Sequence, residues 1–155
     1  MSLEKWNKNL EMAFGFGVNH ISSYALTVEP KTALDTFIKK GQYPPMDDAL
    51  AQLHFKHLIA ETQKQGFVHY EISNFGKPGF FSKHNTSYWQ GTPYLGIGPS
   101  AHSFHGNTRS WNVANNTKYI KGIQENKLPH TMETLTVQEQ YNEYVMTGLR
   151  TIWGV

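Results

Sequence analysis

The chain has 155 residues and a formal charge of +2, with lysine and arginine scattered along it. That length supports a real core, and the absence of a basic stripe excludes a nucleic-acid face. No apolar run approaches the ~20 residues of a membrane span, and the charged N-terminus is not a signal peptide. Cysteine is absent, which excludes disulfides, zinc thiolates and a cysteine-held iron–sulfur cluster within this chain and is compatible with a cytoplasmic origin.

Trp6, Leu10, Ala13 and Phe14 recur at helical spacing, which predicts a helix from Leu3 to Phe16 with Gly15 or Gly17 near its end. His20 to Glu29, HISSYALTVE, alternates and predicts a strand that Pro30 ends. Thr32 starts a short helix that Gly41 stops, and Asp47 caps a longer one running from Asp48 to Gln65, with Gly66 after it. His54 and His57 lie three apart on that helix, but no third metal ligand accompanies them. Phe67 to Asn74 and Thr108 to Asn112 predict strands. Asn116 can cap a helix carrying Tyr119, Ile120 and Ile123, and Asn126 to Glu133 is a polar connection. Thr136 and Glu139 form a capping box opening a last helix, whose apolar face holds Tyr141, Val145, Leu149 and Ile152. That face has no later element to receive it, so the chain is expected to be a piece of a longer protein.

Between Tyr70 and His105 lies the densest chemistry. Glycines, prolines and rings alternate there, and the fixed charges are Glu71, Lys77 and Lys83. Such a mixture suits either a tightly turned antiparallel sheet or backbone that closes around a flat, mostly apolar ligand. Gly96 to Ala101, GIGPSA, formally matches a dinucleotide fingerprint. The following residues alternate like a strand rather than opening a helix, and Lys121 stands where an acid is required, so a Rossmann site is rejected. Gly96 and Gly98 still allow close approach to the backbone and offer N–H donors. His102 and His105 point to opposite faces of a strand and are poor co-ligands. His84-Asn85-Thr86-Ser87-Tyr88-Trp89 joins an imidazole to an amide and two rings. An imidazole can ligate iron and rings can stack on a macrocycle, although a histidine has many other roles.

YEISNFGKPG, HNTSYW and YLGIGPSAHS, flanked by HISSYALTVEP and LTVQEQYNEYVMTGLRT, together resemble the oxygen-independent coproporphyrinogen III oxidase-like family of radical S-adenosylmethionine (SAM) proteins. The likeness runs from about Trp6 onward and is strongest to the haem chaperone branch, whose HNxxYW motif is associated with haem binding. His84, Asn85, Tyr88 and Trp89 occupy its four fixed positions. The resemblance implies an α+β chain: the last strand and helices of an incomplete (β/α) barrel, then a mainly antiparallel sheet with flanking helices. It implies three regions, 1–66 (barrel end and linker helices), 67–130 (the α/β extension with HNTSYW and GIGPSAHS) and 131–155 (the start of a helical region).

The same resemblance implies haem as ligand, His84 as ligand to the haem iron, and a haem-acceptor protein as partner. SAM and a [4Fe–4S] cluster belong to the full-length parent, whose cluster motif needs three cysteines that this chain lacks. Tyr24, Ala25, Gly96, Gly98, Ala101 and His102 would face the SAM side. An open sheet edge at His20 to Glu29 would invite a dimer. Two other readings stay open: a portion of a true oxidase of porphyrin biosynthesis, and a packing module without catalysis. His84 as a structural donor, or His102 or His105 as the ligand, also stay open.

Overall fold

The computed structural model describes residues 1–155 as two compact units, Met1–Ser82 and Lys83–Val155. The first unit contains α1 (Leu3–Gly15), β1 (His20–Ser22), α2 (Ala33–Lys39), α3 (Asp48–Lys64), β2 (Val68–Glu71) and β3 (Asn74–Gly76). The second contains α4 (Lys83–Trp89), β4 (His102–His105), β5 (Thr108–Asn112), α5 (Asn116–Gln124), β6 (His130–Thr134) and α6 (Val137–Gly148). The chain is α+β with antiparallel pairing, as expected, but its strands form two three-stranded sheets, ordered β1-β3-β2 and β4-β5-β6.

Local chemistry explains the helix starts. Ser2, Thr32, Asp47, Asn115 and Thr136 each accept a backbone N–H three residues on, which satisfies a donor the helix itself leaves free. The cap of α5 is therefore Asn115, one residue before the expected Asn116. Thr136 and Glu139 complete a reciprocal capping box. Gly66, at φ +79°, takes the left-handed turn after α3.

In the first unit Leu10 of α1 and Leu58 of α3 pack with Phe67 and Phe75, and Trp6, Phe14, Ile21 and Ile59 surround them. His54 and His57 serve this packing. The Trp6 indole donates to the His54 carbonyl at 3.1 Å, and the His57 ring lies 2.9 Å from Asn7 Oδ1. No group of three or more metal-binding side chains converges anywhere.

The expected strand His20–Glu29 ends at Ser22. Its partner β3 is three residues long, so the ladder runs out, and Tyr24 and Leu26 are exposed beyond it. The expected strand Phe67–Asn74 is a hairpin. Glu71, buried, turns its carboxylate back to accept from the Ser73 N–H at 3.0 Å and from the Asn74 amide, and Ser22 Oγ donates to Asn74 Oδ1 at 2.5 Å. A buried carboxylate needs such donors, and here they fold the chain over.

Two further differences lie in the second unit. The stretch read as a polar connection contains β6, which pairs fully with β5. All five of its residues are exposed, so no buried face leaves an alternating pattern. The last helix stops at Gly148, short of Leu149 and Ile152. A Cβ at Gly148 would lie 2.6 Å from the Gly154 carbonyl oxygen, so the chain turns back on itself there.

Tyr70 is fully buried, and its hydroxyl accepts from the Ser82 N–H at 3.1 Å and lies 2.8 Å from His20 Nε2. The phenol and the imidazole are therefore joined by a hydrogen bond while the Ser82 amide engages the same oxygen. Desolvation lowers the His20 pKa from 6.5, outweighing the attraction of Glu71, while burial pushes the Tyr70 phenol up. A histidine whose folded pKa is lowered contributes stability above its unfolded value. That contribution is lost as the pH falls from 6.5 toward the folded value. Denaturant melts at falling pH should therefore show stability dropping below about 6.5. His20→Gln, which keeps an acceptor but does not titrate, should flatten that slope.

Candidate functional site

The residues HNTSYW form most of α4, a helix from Lys83 to Trp89. Asn, Thr and Ser favour turns over helix interiors, and this short helix is closed by a turn. The Gly91 N–H donates to the Tyr88 carbonyl at 3.2 Å and the Thr92 N–H to Ser87 at 2.9 Å, with Gly91 at φ +65°. The helical turn of 3.6 residues places His84 with Tyr88, and Asn85 with Trp89, on shared stripes.

His84 and Tyr88 are exposed, their rings edge-on with centroids 4.9 Å apart. Tyr88 continues edge-on to Tyr94 at 4.7 Å, and Tyr94 leads to Phe104 at 6.2 Å. Asn85 and Trp89 are half-buried, and the Arg150 guanidinium lies 4.9 Å from the Trp89 ring centre. At that distance it holds the indole by a cation–π contact. Arg109 of β5 donates to Glu143 of α6 at 2.5 Å, with Glu133 at 3.8 Å. Sequence reading missed Arg109, Tyr94 and Arg150 as neighbours of this region. Arg109 and Glu143 stand 34 residues apart, and no local pattern links them.

The glycine loop before β4 is tightly held. A Cβ at Gly96 would run into the His102 carbonyl oxygen. The Gly96 N–H donates to Ser103 Oγ at 2.9 Å and the Gly98 N–H to Tyr119 Oη at 3.2 Å. Buried Asn112 donates to the Gly96 and Gly98 carbonyls at 3.3 and 2.9 Å. Close approach to Gly96 is thus made by the chain's own backbone, and both glycine amides bond within the unit.

Ala101 is half-buried and donates to the Gly98 carbonyl at 3.3 Å. His102 and His105 are exposed on β4, opposite Trp111 and Thr108. A cleft of about 640 Å³ opens beside His102 and Trp111. In the first unit Tyr24 and Ala25 are exposed on irregular backbone after β1.

No family model matches the chain. It is 35% identical over 156 residues to "Heme chaperone HemW" of Bacillus subtilis, covering 99% of this chain and 41% of that protein. It is 34% identical over 149 residues to "Heme chaperone HemW" of Mycobacterium tuberculosis, covering 96% of this chain and 38% of that protein. The chain is homologous to part of the heme chaperones. It spans about two-fifths of the length of these curated relatives. Coproporphyrinogen III oxidase (HemN) from Escherichia coli, described as a radical SAM enzyme, superposes with a TM-score of 0.74 at 19% identity, covering 97% of this chain and 38% of that one. That likeness shows a shared fold.

The chain has no thiolate, so its residues do not fit an iron–sulfur cluster. Its donor set does fit a haem: an exposed imidazole with aromatic rings on the same helix. The Gly96 contact also makes a sharp prediction. Gly96→Ala should cost about 1–3 kcal/mol, since the clash is with backbone rather than a movable side chain. Thermal or denaturant unfolding measures it, with Gly15→Ala as a comparison at an open position of ordinary backbone.

Proposed function

We propose that this chain is the C-terminal portion of a radical SAM haem chaperone, which binds haem and delivers it to acceptor proteins, and that His84 ligates the haem iron. The carrying observation is the exposed His84 imidazole, set edge-on against Tyr88 on a helix with Asn85 and Trp89. The similarity to heme chaperones over nearly the whole chain supports it. Haem is the cargo in this reading. The iron–sulfur cluster and SAM, which supply radical chemistry when bound, are assigned to the rest of the parent protein, because thiolates must hold the cluster. Gly96, Gly98, Ala101 and His102 retain the proposed SAM-side assignment, with Tyr24 and Ala25. The engaged Gly96 and Gly98 amides leave them a shaping role in it.

His84 gives the iron one neutral nitrogen, and burial of the large apolar macrocycle contributes more than that single bond. Lys83 at the start of α4 is exposed, so pairing it with a haem carboxylate would add only about 0–1 kcal/mol. No helix is long and apolar enough to cross a membrane, and the proposed location is the cytoplasm.

Haem titration of the full-length protein, followed at the Soret band, tests the assignment. His84→Ala should shift the band and weaken binding about tenfold or more, roughly 1.4 kcal/mol. His102→Ala and His105→Ala should behave as wild type. Wild-type spectrum and affinity in a folded His84→Ala protein would overturn the role of His84. Coproporphyrinogen decarboxylation by the full-length protein would favour the oxidase reading instead.

A further inference from the structure

In the second unit a cleft of about 620 Å³ opens between α4, the β4–β5 hairpin and α6. That size lies within the roughly 300–1,000 Å³ of sites that hold one small molecule. Tyr88, Trp89, Tyr94, Phe104, Arg109 and Tyr144 line it. Five of these six side chains are aromatic, and several are held in place before any ligand arrives. Tyr94 is bonded to Phe104 through both backbone amides, at 2.9 and 3.0 Å, and is wedged edge-on against Tyr88. Desolvation pushes its phenol pKa up, as expected for a ring on an apolar wall. Trp89 is held by Arg150.

The cleft's charge is balanced. Arg109 is held by Glu143 at 2.5 Å with Glu133 at 3.8 Å, so the wall presents no spare cation to an entering carboxylate. An acidic group pushed inside would meet the Glu143 carboxylate that lines the cleft, while the lining cation, Arg109, is already paired. The ligand that fits is flat, large and apolar on one edge, with any acids left in solvent at the mouth. His84 stands one ring away, its imidazole against Tyr88 at 4.9 Å.

We propose that this cleft seats the macrocycle of a tetrapyrrole, apolar edge inward, with Tyr88, Tyr94, Phe104 and Tyr144 as its walls. This rests on the haem reading of α4 and adds residues that the HNTSYW pattern does not contain. It separates two contributions: His84 meets the metal, and the cleft meets the ring.

Iron-free protoporphyrin IX isolates the second contribution, since it has no metal to ligate. The full-length protein is titrated with protoporphyrin IX and with haem, following tryptophan quenching and the Soret band. Two variants alter the cleft: Tyr144→Ala removes an exposed ring, and Thr147→Trp fills the space from α6. Tyr144 is 59% exposed, so its truncation leaves the core intact, and circular dichroism checks both variants. Each should weaken both ligands about tenfold, whereas His84→Ala should change the haem spectrum and leave protoporphyrin affinity within about twofold. If both folded cleft variants bind protoporphyrin like wild type, the cleft is not the seat, and the assignment of His84 survives. If wild-type protein binds neither ligand, the cleft and the haem reading fall together.

Discussion

The hydroxyl of Tyr70 is the contact on which the first unit's glycine-rich end depends. It shares a hydrogen bond with His20 and accepts from the Ser82 amide, so it joins β1, β2 and the last residue before α4. Phe81 stacks on the same ring at 4.4 Å, and a Cβ at Gly76 would press on Phe81 from the other strand. Each hydrogen bond contributes only about 1 kcal/mol net, but leaving the buried phenol without partners would cost more. The YEISNFGKPG run is therefore structural: Tyr70 anchors, Glu71 and Asn74 fold the hairpin, and Gly76 makes room.

What could be read from the residues follows how local the cause is. Caps at Thr32, Asp47 and Thr136 were legible because cap and recipient lie three residues apart. β6 was not legible, because a strand exposed on every residue buries nothing and leaves no periodicity. The hairpin inside Phe67–Asn74 was hidden for the opposite reason. Glu71 and Asn74, the polar residues flanking its turn, are buried, so no exposed polar run marks the turn and the segment reads as one continuous strand.

The same rule divides the candidate site. His84, Asn85, Tyr88 and Trp89 were found as a motif, but that α4 is a helix was not, since Asn, Thr and Ser do not announce one. Tyr94 and Phe104 come to Tyr88 through a bridge between an isolated residue and β4. Arg109 and Glu143 meet across 34 residues. Such contacts are products of topology, and only coordinates reveal them.

The Arg109–Glu143 pair has a consequence for how α6 is held. Gly148 is the one buried residue of that helix, while Tyr141, Tyr144 and Met146 stand largely in solvent. Within this unit the helix is fastened to the sheet more by charge than by a greasy seal. Charge and grease respond to different variables. A hydrophobic seal weakens on cooling and tightens in sulfate. The Arg109–Glu143 pair, about a third exposed and in contact well inside the Debye length of about 8–10 Å, is screened little by salt and carries no hydrophobic temperature dependence. The helix wall of this unit should accordingly answer less to cooling than a wall sealed by apolar side chains would, so that its hold is set by one well-made ionic contact rather than by area.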